Sequence, residues 1–201
     1  MERVYLGRHL SRKLVVYATY AALMYQYAKQ PFDPAQLLKD SMALSYLQAK
    51  KKSLPGEPQT ERIEADLRLA FVKALADQEE IENKIDEFLV DWTFARLSFV
   101  SQAIFLVAYS EAAIVKCTPK AVAINEALNL AKELVDAGEA KYMNAVLERS
   151  ISKALGIPGD YQKVKVEAKD MALSPAAAKY AAEKAQKAKP VPFPQLPKEV
   201  G

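Results

Sequence analysis

The stretch "PKAVAINEALNLAKEL", which runs from Pro119 to Leu134, carries the clearest structural pattern in the sequence. Proline after Thr118 is a helix-start signal, because proline suits the first turn, where an N–H has no partner inside the helix. Side chains of the apolar face recur at three- and four-residue spacing: Ile124, Leu128, Ala131 and Val135. We predict an amphipathic helix that packs by this face, with Asn125 at its edge and Glu126 pointing away from it.

Two further helices flank this stretch. Gly138 predicts the end of the helix that starts at Pro119. The segment "EAKYMNAVLERSISKAL" is predicted to form the next helix, which stops at Gly156 and Pro158. Upstream, the segment from Phe99 to Val115 is the most apolar in the chain. It is shorter and more polar than the ~18 uninterrupted apolar residues of a membrane span, so it predicts a central buried helix.

The N-terminal half shows four more helices. The first covers about residues 10–29, with a predicted apolar stripe formed by Leu14, Ala18, Ala21, Ala22 and Tyr25. Asp33, followed by proline, starts a second helix that runs to about Lys52. Thr60 and Asp77 are predicted to cap a third and a fourth helix. Beyond residue 154, an Ala/Lys segment and a proline-rich end predict an extension that is partly helical and then extended.

The composition fits an all-helical protein and excludes several kinds of site. Of the 201 residues, 51% are hydrophobic and 26% are charged, and only 6 are glycine. The single cysteine, Cys117, excludes an internal disulfide and a cysteine-based zinc cluster, and the single histidine leaves no histidine pair for a metal. Neither a membrane span nor a signal peptide is expected, which predicts a cytoplasmic protein. The net charge of +3 permits an anionic partner without requiring one.

No pattern of catalytic residues is present in the sequence. There is no glycine-rich phosphate loop, no serine nucleophile elbow and no metal-ligand helix motif. Neighbouring carboxylates such as Glu79 and Glu80 fall at positions typical of solvated helix faces. Cys117 precedes a helix start but has no partner histidine in a readable pattern, which favours a structural thiol. We therefore predict no catalytic residue, no metal and no cofactor.

A cluster of basic residues precedes and opens the first helix. Arg8 and Arg12 are four residues apart and share one helical face, and Lys13 follows them. Such a cluster can hold the phosphates of a nucleic acid, and Tyr20, two turns further on, can stack on an unpaired base. The alternative is a solvated basic helix end with a partly buried tyrosine. The residues by themselves leave both interpretations open.

Taken in order, these motifs resemble those of the NusB family of transcription antitermination factors. "PKAVAINEALNLAKEL" is similar to the family's "P..VAINEAVELAK", and "KYMNAVLER" follows at a matching distance, like the family's "KFVNGVLDK". The opening "RHLSRKLVVYATY" is similar to the family's "RR..R....Q.LY". The resemblance covers roughly residues 8–153.

The resemblance implies an all-α fold, an orthogonal bundle of about seven helices in two subdomains. The NusB-like domain would cover residues 1–154, with sub-bundles at about 8–75 and 78–154, and residues 155–201 would form a C-terminal extension. Members bind the boxA element of single-stranded RNA, as a heterodimer with the ribosomal protein NusE, and join the transcription complex. They catalyse no reaction, and some of them form homodimers.

The resemblance also implies roles for individual residues. The set expected to bind RNA is Arg8, Arg12, Lys13, Tyr20, Lys120, Lys141 and Tyr142. The set expected to contact a protein partner is Glu111, Asn125 and Glu126. A lysine at a helix start adds charge to the free N–H groups that attract phosphate. Packing between helices is the alternative for Tyr142, and a hydrogen bond to a neighbouring helix is the alternative for Glu126.

Several positions depart from the pattern of the family, among them Ser101, Gln102, Leu106, Ser110 and Gly138. They replace charged residues, a tyrosine and an aspartate. These changes motivate an alternative in which the same fold is a protein-interaction scaffold with weakened or lost RNA binding. NusB-like domains also begin certain RNA cytosine methyltransferases, but the sequence shows no methyl-donor-binding segment, so we expect no such activity.

Overall fold

The structure, a computed structural model, describes residues 7–50, 63–135, 137–159 and 161–165. Within these ranges the chain forms seven α-helices: α1 Arg8–Tyr27, α2 Pro34–Lys50, α3 Ala65–Ala76, α4 Gln78–Asp86, α5 Phe99–Tyr109, α6 Lys120–Leu134 and α7 Ala137–Ala154. The predicted all-α architecture of about seven helices is confirmed. No helix in the described ranges has the length and apolar character needed to cross a membrane.

Helix α5 forms the centre of the fold. All its residues from Ser101 to Tyr109 are buried, as the apolar run in the sequence predicts. It packs against α1, α3, α6 and α7, and the buried apolar side chains form one continuous cluster from Leu14 to Ile151. The cluster runs through both predicted sub-bundles, and their boundaries at 8–75 and 78–154 stay a prediction.

Two of the predicted helix signals act as expected. The Asp33 carboxylate accepts a hydrogen bond from the Ala35 N–H at 2.9 Å, which satisfies a free donor at the start of α2. Beyond the end of α7, Gly156 has a φ of +67°, a conformation that costs glycine little. The Ile157 N–H then donates to the Ser152 carbonyl at 2.9 Å, which closes the helix end.

Other boundaries differ from the prediction. Helix α1 begins at Arg8, and α6 already ends at Leu134, so Gly138 lies in the first turn of α7 and does not stop α6. The cause is an abrupt change of backbone direction at Val135, which needs no glycine. Asp77 precedes α4 without a side-chain cap, and its carboxylate lies 3.6 Å from Lys73 Nζ instead. It also ends α3, where its N–H donates to the Lys73 carbonyl. The predicted cap Thr60 lies outside the described residues.

A small parallel sheet joins the predicted extension to the helical body. Strand β1, Leu89–Val90, pairs with strand β2, Val164–Lys165, and a 3-10 helix at Phe94–Arg96 follows β1. Two-residue strands are too short to show alternation, so the sequence could not predict them. The Ala/Lys segment and the proline-rich end of the extension lie outside the described residues.

A π-helix, Ser110–Ile114, continues α5 and leads toward α6. Its wider turn appears in the hydrogen bond from the Val115 N–H to the Ser110 carbonyl at 2.8 Å, five residues back. The Glu111 side chain within this turn points into the interior and faces α1. The sequence pattern predicted an uninterrupted helix here.

Candidate nucleic-acid interface

Arg12 and Glu111 form a buried ion pair between α1 and the π-helix. Arg12 Nε donates to Glu111 Oε1 at 2.9 Å and to Oε2 at 3.0 Å, and Arg12 Nη2 donates to Oε1 at 2.6 Å. The two side chains are only 5% and 1% exposed. The Thr118 hydroxyl donates to the Glu111 carboxylate and accepts a bond from Arg12 Nη2 at 3.2 Å. This network ties three chain segments together.

The burial of this pair counts against two predicted contacts, which stay predictions. Arg12 was expected to contact RNA phosphate, and Glu111 was expected to contact a protein partner. In the structure each satisfies the other, and neither is presented to solvent. An uncompensated charge at this depth is costly, so loss of either partner should disturb the packing of α1 against the π-helix.

Arg8 lies one turn before Arg12 and nearer the surface. Its two terminal nitrogens donate to Asp66 Oδ2 at 3.2 Å, and it also pairs with Glu64. Partial burial lowers the pKa of Arg8, but the charges and hydrogen bonds of Asp66 and Glu64 outweigh that effect and raise it above its ordinary value. The side chain is 39% exposed, so an external phosphate has access to it but must compete with these carboxylates.

Two carboxylates of α6 face the exposed side of the α1 start. Lys13 pairs with Glu133, and His9 Nδ1 lies 2.8 Å from Glu126. The hydrogen bond between Lys13 and Glu133 raises the pKa of Lys13 and lowers the pKa of Glu133. Glu126 therefore bonds a neighbouring helix, the alternative stated for it above, while Asn125 beside it is exposed.

The remaining predicted RNA contacts are distributed over three helices. Lys120 at the start of α6 pairs with Glu148 and donates to the Ser152 hydroxyl at 3.0 Å, near the end of α7. Lys141 on α7 is exposed. Tyr20, on the solvent side of α1, is 37% exposed. Helices α6 and α7 thus run antiparallel, and Lys120 and Lys141 lie toward opposite ends of their pair.

Tyr142 is a packing residue. Its ring stacks on Phe105 of α5 with a centroid distance of 6.3 Å, and its hydroxyl donates to Glu139 at 3.2 Å. The side chain is buried, which favours the stated alternative of packing between helices, and the base contact stays a prediction. The buried Glu139 also accepts a hydrogen bond from the Ser101 hydroxyl, a role that sequence reasoning missed because glutamate is usually solvated.

Three other departures from the family pattern also lie in the interior. Gln102 donates to the Leu97 carbonyl at 2.8 Å, and Ser110 donates to the Ala70 carbonyl at 2.8 Å. Leu106 is fully buried in the hydrophobic cluster. These side chains contribute to packing within the helical body and do not form part of an exposed charged surface.

An exposed apolar and aromatic strip follows the outer side of α1. Its exposed members are Leu10, Tyr20, Met24 and Tyr27, and the half-buried Tyr17 lies between the first two. The spacings along this strip are seven, three or four residues. Tyr25, predicted on the buried stripe, is exposed instead and contacts Phe32 at a ring distance of 6.0 Å. The same periodicity that defines the buried face could have revealed the strip, since it fits a second face as well.

Cys117 shows the features of a structural thiol. It is half-buried, and its sulfur lies 3.7 Å from the Glu111 carbonyl oxygen. Burial first, and then the charge of Glu111, raise the pKa of the thiol. Among the described residues, no group of three or more side chains is arranged to hold a metal ion.

Comparison with known proteins places the whole helical body in one family. A family model described as "NusB family" matches residues 12–152, well over half of the chain. Two curated proteins named transcription antitermination protein NusB, from a Cyanothece species and from Desulfotalea psychrophila, are 37% identical over 87 residues and 38% identical over 74 residues. The matched segments span 43% and 37% of this chain, and 41% and 52% of those relatives, less than two thirds of their length.

Solved structures share the fold at lower sequence identity. NusB of T. maritima superposes with a TM-score of 0.58 at 21% identity and covers 75% of this chain and 94% of its own. A structure of the antitermination factors NusB and NusE in complex with double-stranded RNA gives a TM-score of 0.52 at 19% identity. That match covers 73% of this chain and 96% of the other.

Proposed function

The chain belongs to the NusB family, and from that membership we propose that it is a non-catalytic, RNA-binding transcription antitermination factor. Its ligand is boxA-like single-stranded RNA, its partner is a ribosomal protein of the NusE type, and it acts in the cytoplasm. The match across residues 12–152 carries this proposal. The curated relatives named for transcription antitermination, and the NusB–NusE–RNA complex that shares the fold, support it.

The exposed side of the α1 start, together with α6 and α7, forms the proposed RNA surface. Tyr20 stacks on an unpaired base, because its ring is accessible and every base offers a π-face. Arg8, Lys13, Lys120 and Lys141 contact phosphates as the chain of the RNA crosses these helices. Arg12 contributes indirectly, since its buried pair with Glu111 fixes the position of α1.

One observation favours the alternative function, a protein-interaction scaffold with weak RNA binding. Arg8, Lys13 and Lys120 each pair with a carboxylate of the same chain. Exposed Asn125 on α6 then contributes to a protein-binding surface, and a homodimer stays a prediction of this alternative as well. The two functions predict different results when α1 is changed. Removal of Tyr20 should weaken binding of the ligand if the protein is an RNA-binding factor, but not if it is a protein-interaction scaffold.

A binding titration distinguishes the two functions. We expect the protein to bind boxA-like single-stranded RNA more tightly than a scrambled RNA of the same composition, and the preference to increase with the NusE-type partner. Equal affinity for both RNAs, with and without the partner, contradicts the proposal and leaves the scaffold function.

Tyr20→Ala tests the proposed stacking contact. Loss of one stacked base lowers the RNA binding free energy by about 1–3 kcal/mol. Tyr25→Ala is the matched control, since Tyr25 is an exposed tyrosine of the same helix about 140° away around its axis. Equal losses in the two variants would contradict a specific role for Tyr20.

A further inference from the structure

We propose that Glu126 and Glu133 of α6 act as intramolecular competitors of RNA phosphate at the α1 start, and so set the affinity of this surface for RNA. This inference rests on the proposed function for its ligand. It assigns a role to two carboxylates that are exposed enough to exchange their partners.

The positions of the two glutamates bring both to the same neighbour. They are seven residues apart on α6, which is close to two full helical turns, so their side chains share one face. On α1, His9 and Lys13 are four apart and also share a face. The result is a short ladder of contacts: His9 to Glu126 at 2.8 Å, His9 to Glu133 at 3.8 Å, and the Lys13–Glu133 pair.

The charges around the α1 start are unfavourable for an external anion. Among the described residues, three permanent cations meet five carboxylates there: Arg8, Arg12 and Lys13 against Glu64, Asp66, Glu111, Glu126 and Glu133. A phosphate that approaches Lys13 must therefore displace a carboxylate already bonded to it. The raised pKa of Lys13 and the lowered pKa of Glu133 report the same attraction.

The exposure of the ladder makes this displacement feasible. The side chains of Lys13 and Glu133 are 22% and 44% exposed, so water screens their attraction and the pair is weak. Lys13 can turn to a phosphate without unfolding the helix. The ladder therefore reduces RNA affinity and does not abolish it. How tightly RNA binds at the α1 start then depends on the competition from Glu126 and Glu133.

The test measures the salt dependence of binding in Glu133→Gln and in the double variant Glu126→Gln/Glu133→Gln. Each cation that becomes available to a single strand steepens the slope of log K against log salt by about 0.7. We expect Glu133→Gln to bind single-stranded RNA more tightly and with a slope steeper by about that amount. Adding Lys13→Gln to Glu133→Gln should remove the gain.

Glu79→Gln is the matched control, because it changes the net charge equally at Glu79, an exposed residue of α4 away from the ladder. A heparin column provides a second probe that needs no RNA specificity: Glu133→Gln should elute at higher salt than Glu79→Gln. If the two variants elute together and share the wild-type RNA slope, the inference is overturned, even where boxA-like RNA is still preferred. If the slope and elution change as expected but no variant prefers boxA-like RNA over the scrambled sequence, the competition stands and the proposed function fails.

Discussion

Arg12 and Lys13 are consecutive residues of α1, and each pairs with a glutamate, yet the two pairs differ in almost every physical respect. Arg12 and Glu111 are buried, with several short hydrogen bonds and a threonine that completes the network. Lys13 and Glu133 lie at the surface. One residue along a helix is a rotation of about 100°, which here separates the interior from solvent.

The difference teaches that burial, and not residue type, decides what a charge does. An arginine is in general the preferred phosphate ligand, but Arg12 is buried and paired with Glu111. The lysine beside it keeps a partner that an external anion can replace. The predictions below test this contrast between a structural pair and an exchangeable one.

Arg12→Ala should have the largest effect. It leaves the buried Glu111 carboxylate without its bonded cation and with only Arg8, whose Nη2 lies 3.8 Å away, so the free energy of unfolding should fall by about 3–5 kcal/mol. Urea unfolding followed by circular dichroism measures this change. The paired replacement Arg12→Met/Glu111→Leu removes both charges and should recover most of the loss. A loss below about 1 kcal/mol in the single variant would show that Glu111 is not isolated from water.

Tyr142→Phe tests whether a second predicted RNA residue belongs to the interior. The variant keeps the ring contact with Phe105 and removes the hydroxyl that donates to Glu139. We expect the free energy of unfolding to fall by about 1 kcal/mol and the RNA affinity to stay unchanged. A loss of RNA affinity with unchanged stability would restore the tyrosine to the binding surface.

Lys13→Gln should show the opposite profile. The exposed pair contributes about 0–1 kcal/mol, so the thermal midpoint should hardly move. The salt slope of RNA binding should become shallower by only a fraction of the ~0.7 of a full phosphate contact, since Glu133 already holds Lys13 in the wild type. Lys39→Gln, an exposed lysine of α2, is the control for net charge. If Lys13→Gln destabilises the protein as strongly as Arg12→Ala, the contrast between the two pairs is wrong.

Acid should weaken the exposed pair of Lys13 and Glu133. The folded-state pKa of Glu133 is below its ordinary value of 4.5, so its contribution to stability is complete above that pH and is lost as the pH falls through the folded pKa. Glu133→Gln should therefore flatten the decline of the thermal midpoint in this acid range by a small amount. Glu79→Gln should leave the decline as in the wild type. A steeper decline in Glu133→Gln would contradict the assigned sign.

Segments with a clear local sequence pattern were predicted correctly, and segments without one were not. The apolar run from Phe99 to Val115 and the signals at Asp33 and Gly156 indicated helices correctly, because they depend on local chemistry. The π-helix and the two-residue strands depend on contacts distant in sequence, which no local pattern contains.

The candidate site was harder to predict than the fold. Sequence spacing identified the basic end of α1, but it could not show which arginine faces Glu111 across 99 residues of chain. Nor could it show that Glu126 and Glu133 both face His9, and that Glu133 also pairs with Lys13. No local sequence pattern predicts which opposite charges pair when they are distant in the chain. The balance of charge at a surface can therefore be determined only from the tertiary structure.

The π-helix lets the segment after α5 hold one residue more than an α-helix with nearly the same total rotation. The extra residue is absorbed within a single wide turn, which closes through the bond from the Val115 N–H to the Ser110 carbonyl. Deletion of Ala113 alone would therefore let the segment wind as an ordinary α-helix, while the residues from Val115 to the first turn of α6 would keep nearly the same direction relative to α5. The length of the chain at this point can change by one residue without a change in how the helices on either side face each other.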